Sequence, residues 1–421
     1  MRKYFIFLSI IYSTQLFGQT SDILVKANQL GTDWKFEEAI VLLENGIKTN
    51  PKDAELYYWL GRYSHYLVYD TRPFENAGDK WSKEKVLNNL KKAVELNPDY
   101  GDAKYFLAAE YGARAHQAIK TGDTIAYKNE LLEAKKFGGF PFHVAEQGRN
   151  ILKSCDPNAI LLVDGDAHYN ILQYLQAIEG FRRDISLICL SLLERPYYVK
   201  LVRDGAGMII KPVPLICTDN MIMEMHNYKW RENEISIKIS DKARQLNNYN
   251  DSIADFKWQV KPDEGENRLW TGTAMLIGIF ETNRWERPIH YAYFGLTDLS
   301  GLEDNYQIVG LTARFLPYKV KGTRIEYDKE RFESIMLNPE NYKDYSDISK
   351  NQQPRVSGLF GNLNRYRLVE YANFCIKEGD RDKAELVLKK MNEFMPISIF
   401  PLDTKLKADI ENLEIKLKIK E

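Results

Sequence analysis

The chain of 421 residues has few cysteines, no charge excess and few long apolar runs, and each shortage excludes a class of protein. The four cysteines are too few and too scattered for a disulfide framework or a zinc site: Cys155, Cys189, Cys217 and Cys375. Lys and Arg number 58 against 59 Asp and Glu, so the basic excess typical of nucleic-acid binding is missing. Beyond the N-terminus no apolar run reaches the ~20 residues that cross a bilayer, so we expect no transmembrane segment in the mature chain.

The N-terminus has the pattern of a secretory signal. Arg2 and Lys3 form a charged start, and the apolar stretch "YFIFLSIIYSTQLFG" follows directly. Small Gly18 is the expected last residue before cleavage, so residues 1–18 are predicted to be a signal peptide. We therefore expect export across the inner membrane to the periplasm or the cell surface.

The first third of the chain repeats one helical pattern around two Asn-Pro pairs. Leucine stands eight residues before each proline and nine residues after it: Leu43, Leu60, Leu90 and Leu107. Such spacing places apolar side chains on one helix face, and Asn-Pro ends each helix. The pattern resembles the tetratricopeptide repeat, so we predict helical repeats of this kind over 19–154. Ala384 and Leu388 stand before Pro396 at the offsets of the first repeat, which predicts another helix pair over 358–421.

The middle of the chain changes from helical repeats to alternating strands and helices. "AILLVDG" and "DISLICLSLL" are typical of buried strands, and the segment between them has helical spacing. Strand, helix and strand in this order predict a βαβ unit with parallel strands. Alternation in "ISIKIS" and "FKWQV" adds strands, so we predict an α/β domain with a mixed sheet over 155–325. The polar segment that follows is predicted to be a linker over 326–357.

Four blocks in order resemble one bacterial family. They are "ILLVDGD…YLQAIEGFRRDISLICLSLLERPYYVK", "IFETNRWERPIHYA", "GLEDNYQIVGLTARFLPYK" and "RYRLVEYANFCIKEGDRDKAELVLKKMNEFMP". Together they resemble the soluble C-terminal portion of protein O-mannosyltransferase-like membrane proteins, a domain of unknown function. The multi-spanning catalytic domain of that family has no counterpart here, so the resemblance does not imply transferase activity. Where the family has Gly-Asp-Asn-Asp-Thr, this chain keeps Gly165 and Asp166 and continues with Ala167, His168 and Tyr169.

The carboxyl ends of the first two strands carry the candidate site, because open parallel sheets bind ligands there. The candidate ligand-binding residues are Asp164, Asp166 and His168 after the first strand, and Ser191, Glu194 and Arg195 after the second. Asp164 and Asp166 are the candidate metal ligands, since carboxylates bind divalent cations. The same two residues can instead shape the turn and cap the next helix. His168, in the first helical turn, is expected on the polar surface.

Composition and motifs leave open whether the chain is an enzyme. The first hypothesis is a non-catalytic interaction or scaffold protein that binds a protein or glycan partner in the cell envelope. The second is a metal-dependent envelope enzyme that acts on a glycan or a phosphate ester through Asp164 and Asp166. A third, an accessory subunit of a membrane glycosyltransferase, rests on the family resemblance alone. No cofactor is expected apart from the divalent cation of the second hypothesis.

Overall fold

A computed structural model of the chain describes two compact units. The described residues are 22–69, 83–207, 209–247, 255–263, 267–292, 301–302, 304–320, 326–343, 345 and 359–418, and the signal peptide predicted for 1–18 lies outside them. The first unit comprises Met1–Glu110, Ala134–Gly139 and Ser349–Ser357, and the second comprises Tyr111–Glu133, Phe140–Ile348 and Gly358–Glu421. No helix within the described ranges is both long and apolar enough to cross a membrane.

The first unit is helical, as the repeats predicted. Its helices are α1 (residues 22–32), α2 (Phe36–Thr49), α3 (Ala54–Tyr69), α4 (Lys83–Leu96) and the first half of α5 (Gly101–Lys120). Helix α2 ends where expected, because the Asn50 N–H donates to the Gly46 carbonyl and Pro51 cannot continue the helix. The four leucines of the repeat are all buried, so the predicted spacing does mark the core face: Leu43, Leu60, Leu90 and Leu107.

The second unit contains the mixed sheet and the C-terminal helices. It begins with α6 (Thr124–Lys136), the last part of which belongs to the first unit, and α7 (Phe142–Ser154). The strands and helices from the first to the sixth strand are β1 (Ile160–Val163), α8 (Asp166–Ala177), β2 (Ser186–Cys189), α9 (Pro196–Asp204), α10 (Asp219–Met223), β3 (Tyr228–Lys229), β4 (Asn233–Lys238), α11 (Asp241–Asn247), β5 (Asp255–Val260) and β6 (Arg268–Leu269). The remaining elements are α12 (Thr271–Asn283), β7 (Ile289–Ala292), β8 (Tyr306–Val309), β9 (Thr312–Phe315), β10 (Glu326–Tyr327), α13 (Lys329–Met336), α14 (Leu359–Lys377), α15 (Arg381–Phe394) and α16 (Thr404–Lys418).

The main sheet of the described chain is mixed and has six strands in the order β10-β8-β9-β7-β1-β2. Strand β1 is parallel to both of its neighbours, β2 and β7, and α8 connects it to β2. This confirms the predicted βαβ unit. Strand β9 is antiparallel to β7 and β8, which makes the sheet mixed as expected. All four residues of β1 are buried, so the sheet has its core at this strand.

Two segments show how side chains outside the main strands build the core. Trp285 is buried, and its ring lies 4.6 Å from Phe256 and 5.5 Å from Phe280, so it packs helix α12 against β5. The segment 326–357, for which we predicted a linker, contributes β10 and α13 in its described part. Phe332 and Met336 of α13 are fully buried there and lie one helical turn apart. The polar residues around them masked this helical spacing in the sequence, and the segment was therefore predicted to be a linker.

Arginine side chains hold the connection from α7 to β1, at the amino end of the sheet. Arg182 donates to the carbonyls of Leu152, Cys155 and Asp156. Arg287 donates to the carbonyls of Asn158 and Ala159. These carbonyls lie in or just after the last turn of α7 or just before β1, where the regular backbone hydrogen bonding of helix and strand is interrupted. The guanidinium groups therefore satisfy the backbone that leads into the central strand.

The Asp156 carboxylate is the charged centre of this connection. Its Oδ2 lies 2.8 Å from His290 Nε2, and Arg331 Nη1 donates to Oδ1 at 2.5 Å. Arg314 Nη1 lies 3.4 Å from Oδ2. Burial alone would raise the pKa of Asp156, but the His290 hydrogen bond and the two arginines outweigh it and hold that pKa well below its usual range. Asp156 therefore stays ionised while it joins β1, β7, β9 and α13.

We predict that Asp156→Asn lowers the free energy of unfolding by about 3 kcal/mol, because it removes the counter-charge of Arg331 and one of the counter-charges of Arg314. The contribution of a carboxyl whose pKa is lowered in the folded state is complete above its unfolded value of 3.8 and is lost as the pH falls below that value. The difference between wild type and variant in urea unfolding should therefore be full at pH 7 and shrink below pH 3.8. Asp204→Asn, at an exposed ion pair, is the control; equal losses for both variants would contradict the argument.

Candidate functional site

The carboxyl ends of β1 and β2 lie side by side, as the prediction of a site required. Strand β1 has β2 on one side and β7 on the other, so the strand order reverses at β1. Such a reversal is where open α/β sheets bind ligands. Asp164 follows β1 and Ser191 follows β2 at this edge. Residues 293–300, which follow β7, lie outside the described part of the chain.

The turn after β1 depends on a glycine. Gly165 has φ 70° and ψ 167°, a conformation that side-chain-bearing residues rarely adopt. No atom lies within 4 Å of the position that a Cβ would take, so the backbone angle rather than crowding selects glycine. Helix α8 begins at Asp166, whose side chain is outside the described part of the structure, so its metal and capping roles stay predictions.

Asp164 has a defined partner in the neighbouring strand. The Tyr291 hydroxyl donates to Asp164 Oδ2 at 2.7 Å. Tyr291 is buried and lies opposite Leu162 in the β1–β7 register, so its phenol reaches just past the end of β1. A buried phenol needs such an acceptor. The contact therefore fixes the orientation of the carboxylate whether or not Asp164 also meets a ligand.

His168 is buried, although we expected it on the polar surface. Only 9% of its surface is exposed, because α8 is covered along all of residues 168–177. Burial lowers the pKa of His168 to about 3, so the imidazole is neutral at ordinary pH. Helices of globular proteins usually have a polar outer face. Because residues 168–177 of α8 are buried on every side, the helical spacing of apolar residues did not reveal that His168 is buried.

The residues after β2 have separate neighbours. Ser191 is exposed, and its hydroxyl lies 3.3 Å from Cys189 Sγ. Glu194 packs beside the first turn of α12, where a Cβ added to Gly272 would lie 3.2 Å from Glu194 Cγ. Arg195 stands at the N-cap position of α9, and its carbonyl accepts the Val199 N–H. These three predicted residues therefore lie at the same edge of the sheet, but the described contacts of each are with a different residue or helix.

Sequence reasoning missed an aromatic cluster beneath this edge. The Tyr198 hydroxyl accepts the Cys189 N–H at 2.8 Å and donates to the Tyr169 hydroxyl at 3.0 Å. The His116 ring stacks on Tyr169 with centroids 5.2 Å apart, and burial lowers the pKa of His116 to about 4. The only sequence signal was the pair of aromatic segments "AHYN" and "PYYV". Residues that are far apart in the chain but touch in the fold produce no periodic pattern in the sequence.

The described side chains offer hydrogen-bonding chemistry at this edge. Within the described ranges no group of three or more His, Cys, Asp and Glu side chains is placed to hold a metal ion. Asp164 supplies a carboxylate beside the first turn of α8, and the exposed side chains of Ser191 and Glu194 add a hydroxyl and a second carboxylate. These groups can accept hydrogen bonds from a polar ligand.

The first unit carries a second candidate site, which we call the α3–α5 face. It consists of Tyr58, Trp59, Arg62 and Tyr66 of α3 and Phe106 of α5. The Arg62 guanidinium carbon lies 4.9 Å from the Trp59 ring, 5.5 Å from the Tyr66 ring and 5.2 Å from the Phe106 ring. Arg62 also donates to the hydroxyls of Tyr58 and Tyr66, at 3.1 and 3.3 Å.

A buried acid and an exposed tryptophan adjoin the α3–α5 face. The Glu110 side chain is fully buried and bonds to His65 Nδ1, while its Oε2 has no hydrogen-bond partner. Phe36 stacks on Tyr66 at 5.7 Å and meets Trp34, which is 71% exposed. Aromatic residues therefore extend from the buried Glu110 to the solvent.

A double-mutant cycle on Asp164 and Tyr291 tests whether the carboxylate contributes to folding. We predict that Asp164→Ala and Tyr291→Phe are coupled by about 1 kcal/mol in the free energy of unfolding, because each removes the same charge-assisted hydrogen bond. Ser191→Ala combined with Tyr291→Phe is the control pair and should be additive. Additive losses for the first pair as well would show that the Tyr291 contact does not hold Asp164.

Comparison with known proteins identifies one region of the second unit. Residues 144–261 match the family described as TMEM260-associated domain 2. The match runs from α7 to the segment after β5 and so includes β1, the Gly165 turn, α8 and β2. No curated protein and no solved structure matches the chain. The candidate edge of the sheet therefore lies inside a TMEM260-associated domain 2.

Proposed function

We propose that this chain is an exported, non-catalytic interaction protein that binds a protein or glycan partner in the cell envelope. The α3–α5 face is the observation that carries the proposal. Trp59, Arg62 and Tyr66 are only half-buried there, and Trp, Tyr and Arg are the residues that supply most of the energy at interaction surfaces. The exposed ring of Trp34 extends the same surface into solvent.

Helical repeats are a suitable frame for such a surface. The helices of the first unit carry the leucine spacing of tetratricopeptide-like repeats, and stacked repeats present neighbouring helices along one face. Phe106 of α5 contacts Tyr58 and Tyr66 of α3, so residues from different repeats meet at the α3–α5 face. The signal pattern of residues 1–18 supports the envelope as the compartment. The α/β module is proposed to serve as a scaffold or a second contact surface.

Site-specific photocrosslinking in the envelope tests this proposal. We predict that a photoreactive phenylalanine analogue in place of Tyr57 or Tyr105, half-buried residues next to the α3–α5 face, crosslinks to one defined envelope component. The same analogue in place of Val41, which is 58% exposed on α2, is the matched control. Identical crosslinked products from all three positions, or none from any, would contradict a partner at this face.

The alternative, a metal-dependent enzyme acting on a glycan or a phosphate ester, rests on one observation, the place of Asp164 at the reversal of the strand order. If it is right, calorimetric titration with Mg²⁺, Mn²⁺ or Ca²⁺ should give binding that Asp164→Asn and Asp166→Ala each weaken at least tenfold. Glu286→Gln, at an exposed ion pair, is the control. Absence of binding, or binding unchanged in both variants, would end this alternative. The role of an accessory subunit for a membrane glycosyltransferase rests on the resemblance of the four sequence blocks alone.

A further inference from the structure

Three methionines and a histidine share one short segment of the second unit, which we call the Met221–His226 segment. Three of the nine methionines of the chain are Met221, Met223 and Met225, and His226 follows directly. Met221 is 57% exposed and Met223 is 75% exposed, while Met225 is half-buried. Single apolar side chains at a surface are ordinary, whereas a group of them marks a contact with a ligand or a partner.

The folded chain holds this segment from both ends. The Thr218 hydroxyl caps α10 by accepting the Met221 N–H at 3.3 Å, and Ile222 is buried. Downstream, the side-chain oxygen of Asn227 accepts the N–H and the hydroxyl of Thr271 at 3.1 and 3.2 Å. The backbone between these anchors therefore has a defined course, while the methionine side chains on either side of Ile222 are exposed to solvent.

The turn of α10 continues past the last residue of the helix. The Glu224 N–H donates to the Asn220 carbonyl at 3.0 Å, and the Met225 N–H donates to the Ile222 carbonyl at 3.4 Å. Residues four positions apart on a helical turn are neighbours on one side of it. The side chains of Met221 and Met225 therefore share a side of the turn, and two flexible thioethers there can reach the same ion.

The imidazole of His226 is arranged as in a metal-binding histidine. Its Nδ1 donates to the Glu224 carbonyl at 2.9 Å, and the ring rests against Tyr228 with centroids 4.7 Å apart. With the proton on Nδ1, the Nε2 atom carries the lone pair that can ligate a metal, and a carbonyl on the other ring nitrogen is the usual support of such a ligand. His226 is exposed and adjoins Met225 in the chain, so an imidazole and a thioether occupy neighbouring positions.

The groups in and before this segment favour a soft cation. Thioether sulfur and imidazole nitrogen suit Cu(I), whereas Mg²⁺ and Ca²⁺ require oxygen ligands. The one carboxylate within α10, Asp219, bonds to Lys200 Nζ at 2.7 Å and to Arg203 Nη2 at 2.6 Å, so its charge is already neutralised. Burial raises the pKa of the Cys217 thiol, which therefore stays protonated and is a poor ligand.

We propose that the Met221–His226 segment binds one Cu(I) ion through the thioethers of Met221 and Met225 and through Nε2 of His226. A thioether cannot form a disulfide, so these ligands suit the oxidising envelope that the signal pattern predicts for the chain. The inference goes beyond the partner binding proposed for the α3–α5 face and concerns residues of the second unit alone. An apolar partner that covers the same methionines is the competing outcome of the test.

The test is competition for Cu(I) between the full mature chain and the chromophoric chelator bicinchoninate, with ascorbate as reductant and without oxygen. We expect the chain to withdraw one equivalent of Cu(I), and Met221→Leu, Met225→Leu and His226→Ala each to weaken this binding at least tenfold. Leucine matches the volume of methionine and keeps the surface apolar, so only the sulfur is removed. Met223→Leu, two positions away and so on another side of the turn, and Cys217→Ser are the matched controls and should bind as wild type does.

X-ray absorption at the copper edge of the loaded chain should show two sulfur neighbours and one nitrogen neighbour. Failure to withdraw Cu(I), unchanged binding in the three ligand variants, or loss of binding in Cys217→Ser would overturn the site. A loss in Met223→Leu equal to that in Met221→Leu would overturn the choice of ligands. The metal-free variants should unfold at the same urea concentration as wild type, which separates loss of a ligand from loss of the fold. A crosslink from a photoreactive analogue at Met223 to an envelope component, without Cu(I) binding, would assign the surface to an apolar partner.

Discussion

The ion pairs and hydrogen bonds of Asp156 are the interaction on which the second unit depends. Strand β1 is the central element of the parallel part of the sheet, and every backbone group that leads into it must find a partner away from water. The carboxylate draws His290 of β7, Arg314 of β9 and Arg331 of α13 to that entrance. Together with the arginines that donate to the neighbouring carbonyls, this arrangement holds the backbone at the point where β1 begins.

The two ends of the sheet consequently differ in character. At the amino end, arginines and Asp156 satisfy one another, and their hydrogen bonds serve the fold. At the carboxyl end, Asp164, Ser191 and Glu194 are at least partly open to solvent and each touches a different element. Arg182 and Arg287 thus belong to the structural end, where their hydrogen bonds serve the backbone that leads into β1.

The pattern of apolar residues predicted the fold where burial is regular, on one face of the repeat helices and along the whole of β1 and β2. The leucine spacing around Pro51 and Pro98 marked the repeat core, and the apolar runs marked β1 and β2 as a parallel pair. It failed where burial does not follow a period, as for His168 on a fully covered helix and for Phe332 in a polar segment. The sequence named Asp164 as a strand-end residue but could not reveal Tyr291 as its partner, since that contact spans 127 positions. Arg62 likewise has no local motif, because its environment combines α3 with Phe106 of another repeat.

The burial of α8 on every side has a consequence for how the second unit opens. Surface helices lose amide protection by fraying, whereas a helix enclosed by the sheet and by other helices has no exposed side from which to unwind. The interior amides of α8 should therefore exchange with solvent deuterium only when the whole unit unfolds. That single helix therefore provides an internal gauge of the global stability of the second unit.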